Sequence, residues 1–454
     1  MARDSSPPDS GLSGLLDLLR SREHTNDVQG GIRRTFRMAR VAAGTGLSLL
    51  GGRLRGRGSG GLDGIDLRTV RKLVTNLGEL KGLAMKFGQI LSYIDVSLPP
   101  EMRELLAVLQ TQSQPTAFDR VAEVLREDLG PRADQLLATI SREPVSVASI
   151  GQVHRGTLPD GTAVAVKVLH PGIRRALESD FSAARLGPVF AKVIAPSAGA
   201  TVEDFIGEMK TRMLEECDYA LEADRQERFS AMLSGFPRLL VPAVHRAWCS
   251  SRVLVTTWEP GRDLESFLAT GPSQEMRDHL GEMLFEIYFG TLYRHGLFHA
   301  DPHPGNYAFR EDGTIVVYDF GCAREFDRET VRSLARLAHA VAGDREAEIR
   351  EAFDQLGGMI PPDERSYRHV HGLLRGFFSP LLTPGRHVVD ASVNLAMGEV
   401  VKDKRMLMRL RLPGKMLFLF RIRFGLYAVL ARLRACCDWS AMEHALAEEA
   451  LGTA

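Results

Sequence analysis

Apolar residues recur at helical spacing over Leu80, Leu83, Phe87 and Leu91, and PPEMRELLAVLQ keeps that habit until Gln114-Pro115 breaks it. Beyond the break VAEVLREDLG reads as one more helix, after which VSVASIGQVHRGTL and TAVAVKVLH alternate with the two-residue period of half-buried strands. Helices return through Phe229. PAVHRAWCSSRVLVTTWEPG then reads as two further strands leading into a connecting segment at Trp258 and Glu259. After Gly261 the pattern is helical, interrupted between Asp301 and Gly321, where DGTI is a turn and IVVY a short buried strand. The pattern predicts an α+β chain with four parts: a loose Ser-, Pro- and Asp-rich start over 1–30, a helical extension over 31–115, a small lobe over 116–260 and a helical large lobe over 261–454.

Composition narrows the class. Hydrophobic residues make up 44% of the chain and charged ones 25%, the balance of a globular protein that is not a membrane bundle. The 57 basic residues match 57 acidic ones, so no global field argues for nucleic acid. Five cysteines, at 217, 249, 322, 436 and 437, form no C-x-x-C and no metal-ligand spacing, which predicts a reduced compartment and no zinc. The first residues are polar and acidic and do not read as a secretory signal, and no run approaches the ~18 apolar residues of a spanning helix. A cytoplasmic location is the expectation. Charge is uneven, however: Arg33–Lys72 carries ten basic residues against two acids and Lys402–Arg434 ten against one, both interleaved with apolar residues. Such stretches suit peripheral contact with an anionic membrane surface; for the second, the competing expectation is a set of large-lobe helices with Arg facing solvent.

Candidate chemistry is concentrated in FHADPHPGNYAFREDGTIVVYDFG, residues 298–321. Asp301 is followed five places on by Asn306, and thirteen places beyond that by Asp319 in Asp-Phe-Gly. These are the types and spacings of a phosphoryl-transfer loop, in which one carboxylate orients the acceptor while an amide and a second carboxylate hold magnesium. His299 stands where that pattern has its own His. A lone Asp-Phe-Gly would be an ordinary strand-to-loop turn, but the joint pattern demands a lysine upstream on a strand, and GTAVAVKVLH supplies Lys167. His299 and His303 are expected to shape the loop and not to bind metal.

No G-x-G-x-x-G precedes Lys167. Instead Ser146 to His154 read SVASIGQVH, and this stretch resembles the alanine-rich loop of the UbiB family of atypical kinases, also called AarF-type, although the family has three alanines before the serine and this chain keeps only Ala148. Lys86-Phe87-Gly88-Gln89 is similar to the family's K-x-G-Q, and Glu216-Cys217-Asp218 to its E-x-D. The resemblance covers roughly residues 75 to 440 and implies a protein-kinase-like two-lobe fold whose N-terminal extension covers the active site. It implies that ATP and Mg2+ are the cofactors, that Ala148, Ser149, Gly151, Gln152, Lys167 and Glu259 border the nucleotide, and that Glu222 pairs with Lys167. It further implies that Lys86 and Gln89 restrain the site, with Glu216 and Asp218 engaging Lys86, and that the process is isoprenoid quinone biosynthesis or lipid homeostasis. A lipid or quinone precursor would then be a partner. Geometry adds a condition: on an ideal helix Glu216 and Asp218 lie about 200° apart, so both reach one lysine only if the helix is irregular there.

After Gly321 the chain runs into CAREFDRETVRSLARLAHAVAG, a helical pattern with no A-P-E and no long loop for a regulatory phosphosite, which argues against an ordinary protein kinase. Two other classes stay open. One is a small-molecule phosphotransferase of the aminoglycoside type, which has no reason to carry K-F-G-Q or S-I-G-Q-V-H; the other is a nucleotide-gated lipid-binding protein with little turnover.

Overall fold

The computed structural model describes residues 115–183, 202–389 and 414–452. The segment expected over 1–30 and all of that over 31–115 except Pro115, with Lys86, Gln89 and the basic stretch from Arg33 to Lys72, lie outside the described residues.

The small lobe is built by α1 (Phe118–Leu129), α2 (Ala133–Leu137), β1 (Ser146–Val147), β2 (Gly151–Thr157), β3 (Ala163–Leu169), α3 (Ile173–Ala183), α4 (Val202–Glu216), α5 (Tyr219–Leu233), β4 (Leu239–Leu240) and β5 (Val253–Thr257). An antiparallel sheet runs in the order β1-β2-β3-β5. Its back face is covered by α1, which buries Val121, Val124 and Leu125, one turn apart on a single stripe. Val164, Val166 and Val168 of β3 meet that stripe in one apolar cluster. The two-residue period of the strand therefore sends Lys167 to the other face.

The large lobe follows with α6 (Leu264–Leu268), α7 (Gln274–Phe285), a π-helical turn (Glu286–Gly290), α8 (Thr291–His295), β6 (Leu297–His299), β7 (Tyr307–Phe309), β8 (Ile315–Val317) and β9 (Ala323–Glu325). Then come α9 (Arg328–Ala342), α10 (Glu346–Gln355), α11 (Glu364–Phe377), β10 (His387–Val388), α12 (Gly414–Leu433), β11 (Cys436–Cys437) and α13 (Trp439–Leu451). β6 pairs with β9, and β7 with β8, so the residues between these strands are held in two short ladders. A second, larger apolar cluster gathers the helices behind them. Phe229 and Leu233 of α5 belong to it, and β4 pairs in parallel with β8, so chain from the 116–260 segment also builds the large lobe.

Four expectations need correction. SVASIGQVHRG is not one strand but the hairpin β1–β2, closed by the N–H of Ala148 donating to the carbonyl of Gly151 at 2.8 Å. Of the two strands expected in PAVHRAWCSSRVLVTTWEPG only β5 forms: the first is a single bridge, Val244 to Thr256, after which a 3-10 turn at Arg246–Trp248 takes the chain out of the ladder. The helix expected straight after Gly321 is preceded by β9. Of the C-terminal basic stretch only 414–434 is among the described residues, and there Met416, Leu419, Ile422, Leu426 and Leu430 of α12 are core. Arg423, expected to face solvent, is fully buried.

Candidate active site in the cleft between the lobes

Helix α5 begins one turn before Glu222, and that carboxylate meets the lysine presented by β3. Lys167 Nζ donates to the two Glu222 oxygens at 2.7 and 3.0 Å and lies 3.4 Å from Asp319 Oδ2. The Lys167 and Glu222 side chains are 17% and 3% exposed, whereas Asp319 is 43% exposed and opens to the cleft. Burial alone would lower the lysine's pKa, but the Asp319 and Glu222 carboxylates hold it well above the usual range, so the ammonium persists. Burial pushes the Glu222 carboxyl up against the pull of Lys167.

The loop after β6 brings the remaining acid to the same place. His299, fully buried, donates through Nε2 to the carbonyl of Asp319 and accepts at Nδ1 from the N–H of Asp301 at 3.3 Å, which ties the two aspartate segments together. The π-helical turn points the Tyr288 hydroxyl at the carbonyl of Asp301, 3.1 Å away, with Tyr307 Oη also at 3.1 Å. Asn306 Nδ2 donates to the carbonyl and to Oδ2 of Asp301 at 2.9 and 3.0 Å, and the N–H of Tyr318 donates to the carbonyl of Asn306 at 2.9 Å. Asp301, Asn306 and Asp319 are thus joined by hydrogen bonds into one constellation.

The chemistry of this set fits a cation and an anion together. Asp301 and Asp319 bring carboxylate oxygens, the atoms a hard divalent cation takes, next to the ammonium of Lys167, which suits an anion. Because the Asn306 nitrogen is turned to Asp301, the groups that could hold a hard cation here are its amide oxygen and the Asp319 carboxylate. Among the described residues no group of three or more His, Cys, Asp or Glu forms a metal cluster, so a cation here needs oxygens from water or a phosphate chain, as magnesium normally takes them. On the small-lobe side, a Cβ at Gly151 would overlap Tyr219 Oη and the carbonyl of Val168, so only glycine fits that cradle. Tyr219 Oη is itself buried with no hydrogen-bond partner among the described residues, and Lys167 Nζ lies 5.0 Å from the centre of its ring.

Residues 108–353, more than half of the chain, match the ABC1 atypical kinase-like domain. The chain belongs to that family. AarF domain-containing protein kinase 1 of Xenopus tropicalis is 30% identical over 253 residues, covering 56% of this chain and 48% of the relative. Atypical kinase COQ8B, mitochondrial, of Rattus norvegicus is 29% identical over 328 residues, covering 72% of this chain and 61% of the relative. These names agree with the UbiB/AarF resemblance of the motifs. The chain spans between 37% and 61% of the length of the first curated relatives it matches. Among solved structures, Rv3197 of Mycobacterium tuberculosis, determined in complex with erythromycin, aligns with TM-score 0.58 and 29% identity over 85% of this chain and 96% of its own. The fold is thus the kinase-like α+β fold expected from the motifs.

Within this ABC1 domain some expected site residues stand apart from the cleft charges. Gln152 pairs in register with Val168, so its side chain lies on the back face of the sheet, opposite Lys167. There it bonds Thr116 at both the N–H (2.6 Å) and the carbonyl (3.1 Å) and meets His154 at 2.9 Å; it is a brace and not a ligand side chain. The Glu259 carboxylate is ion-paired with Arg310 and its carbonyl accepts from the Tyr318 hydroxyl at 2.6 Å, so any contact with a nucleotide base falls to other backbone atoms of the connecting segment. Ala148 and Ser149 lie in the hairpin turn before Gly151, where the N–H of His170 donates to the carbonyl of Ile150 at 2.8 Å. His303 caps the turn Pro304–Asn306 through Gly305, a shaping role as expected. The condition on Glu216 and Asp218 is met by a break: α4 ends at Glu216, and Asp218 starts α5 as its N-cap, accepting from the N–H groups of Ala220 and Leu221 at 3.1 and 3.4 Å. Their expected partner Lys86 is outside the described residues. Sequence reasoning passed over Tyr219 and Tyr288; Tyr219 adjoins Asp218 in the motif already singled out, whereas nothing in spacing marks Tyr288.

No described helix is long and apolar enough to cross a membrane.

Proposed function

We propose that this chain binds ATP with Mg2+ in the cleft and acts as an atypical kinase or ATPase of the UbiB type, serving isoprenoid quinone biosynthesis or lipid homeostasis and not phosphorylating proteins. The observation that carries the reading is the position of Lys167, bonded to Glu222 at 2.7 Å and 3.4 Å from Asp319. Held there by Glu222, the ammonium meets the α and β phosphates. Asn306 and Asp319 hold the cation, which when bound neutralises charge on the phosphates. Asp301, steadied by Asn306 and by the Tyr288 hydroxyl on its carbonyl, orients the attacking oxygen of water or of an acceptor. The hairpin turn Ala148–Gly151 covers the nucleotide, and the connecting segment at Glu259 meets the base through its backbone.

Against a protein acceptor stands the short path from Gly321 through β9 to α9 at Arg328, which leaves no long loop for a docked polypeptide. By resemblance Lys86 and Gln89, with Glu216 and Asp218, form a restraining cap. The test is ATP turnover by the purified protein with and without anionic liposomes, quinone-precursor phenols and erythromycin, the ligand of the mycobacterial neighbour. Turnover should be lost in Asp319→Asn and increased in Lys86→Ala; absence of turnover under all conditions, with no binding of MgATP, would refute the reading.

A further inference from the structure

Helix α5 carries a second charged residue toward the site. Three positions after Glu222, and so on a neighbouring part of the same face, Arg225 donates through Nη1 to the carbonyl of Gly321 at 2.8 Å and through Nη2 to Glu215 at 2.9 Å. Gly321 also works at its other end, where its N–H donates to Asp319 Oδ1 at 3.0 Å. Both peptide groups of Gly321 are therefore fixed, one to the exposed carboxylate of the cleft and one to Arg225. Glycine has no side chain to restrict its rotation, so the guanidinium narrows the orientations open to this residue and with them the placing of the N–H that holds Asp319 Oδ1.

The anchor of Arg225 is equally specific. Glu215, in the last turn of α4, lies 2.9 Å from Arg225, 3.1 Å from Arg212 and 3.5 Å from Arg324, which sits on β9 directly after the metal-acid loop. The Arg225 and Arg324 side chains are each 13% exposed, so this is not a pair of solvated surface charges. Burial would raise the Glu215 pKa, but the three arginines hold it below the usual carboxylate range and keep the anchor charged. One carboxylate thus joins the end of α4, the middle of α5 and the strand leaving Gly321. The break at Cys217 and Asp218 lies between the first two.

We infer that Arg225 is a positioning residue for the metal carboxylate: through Gly321 it fixes Asp319, and through Glu215 it makes that fixation depend on the α4–α5 elbow. Any movement of the elbow would then change the cation site before it changes the nucleotide site. The inference rests on the MgATP reading given above.

The test is Mg2+ titration of ATP turnover, and of binding of a fluorescent ATP analogue, by Arg225→Met, Arg225→Lys and Glu215→Gln. Arg225→Met should raise the Mg2+ concentration for half-maximal response about tenfold, the usual effect of removing a partner that orients a metal ligand, while metal-free nucleotide affinity changes less than about twofold. Arg225→Lys, which keeps the charge but not the fork that reaches two acceptors, should fall between Met and wild type. Glu215→Gln should shift the same midpoint in the same direction, and it covers the case in which Arg225→Met does not fold. A Mg2+ midpoint unchanged in folded Arg225→Lys and Glu215→Gln overturns the inference while wild-type MgATP binding stands. If the wild type binds no MgATP, the reading beneath the inference is what has failed, and the inference falls with it.

Discussion

The ion pairs Arg423–Glu443 and Lys167–Glu222 are both of low exposure, and they are built differently. In the large lobe Arg423 and Glu443, at 0% and 2% side-chain exposure, form a two-pronged pair with Nη1 at 2.7 Å from Oε2 and Nη2 bonded to Oε1. Phe289, Phe377 and Phe378 close around the guanidinium at 4.1, 4.4 and 4.9 Å, and the Tyr293 hydroxyl donates to Glu443 at 3.0 Å. That pair is sealed, and both acid oxygens are used. The cleft pair is open. Lys167 and Glu222 are nearly as buried, but a second carboxylate, Asp319, stands beside them and is 43% exposed, so this group reaches the surface of the cleft. A closed pair serves the fold; on the reading proposed above, the open one also serves the ligand.

Replacing one partner in each pair separates these roles. Asp319→Asn should lower ATP turnover about 10³-fold, the scale of losing a charge that stabilises phosphoryl transfer, with the denaturation midpoint nearly unchanged because that side chain is half-exposed. Glu443→Gln should do the reverse. It leaves Arg423 buried and uncompensated, which costs about 3–5 kcal/mol of stability in denaturant unfolding while MgATP affinity is kept. The double variant Arg423→Met/Glu443→Leu should regain most of that loss, since apolar replacement of a sealed pair is close to neutral. Gly151→Ala should fall between: its Cβ overlaps Tyr219 Oη and the backbone of Val168, and the strain should cost about 1–3 kcal/mol and weaken nucleotide binding, read by calorimetry.

The smallest effect concerns the back of the small-lobe sheet. His154 is fully buried, and burial holds its pKa below the usual histidine value; Nδ1 donates to the carbonyl of Ser141 at 2.7 Å, and Nε2 accepts from Gln152. The unfolded chain takes up that proton first as pH falls, so the contribution of His154 to stability is full above about pH 6.5 and is lost below it. The denaturation midpoint should therefore drop between pH 7.5 and 5.5 more steeply in the wild type than in His154→Gln, and equal slopes would exclude this residue as a source.

Much of the cleft was legible in the linear pattern because its parts sit at fixed spacings on short elements. Lys167 follows from the strand period, and Asp301, Asn306 and Asp319 lie on one hairpin-like stretch of chain. Gln152 was misplaced because spacing alone does not say which face of β2 meets the cleft; only the register with Val168 decides it. The break between Glu216 and Asp218 had a local signal, an Asp directly before a new helical run, and the demand that both acids serve one site pointed the same way. Arg225 had none: its partner is a backbone carbonyl 96 residues away. Arg423 likewise looked solvent-facing in a basic stretch, because its acid lies 20 residues on, in another helix.

The central claim is that the open group of charges, and not the sealed one, receives a metal-bound nucleotide. Calorimetric titration of ATP into the protein, with and without Mg2+, tests it in wild type, Asp319→Asn and Glu443→Gln. The account predicts tight binding in the wild type and in folded Glu443→Gln only when Mg2+ is present, with the metal-dependent part abolished in Asp319→Asn. Binding in Asp319→Asn equal to wild type, or no binding in the wild type at all, would contradict it.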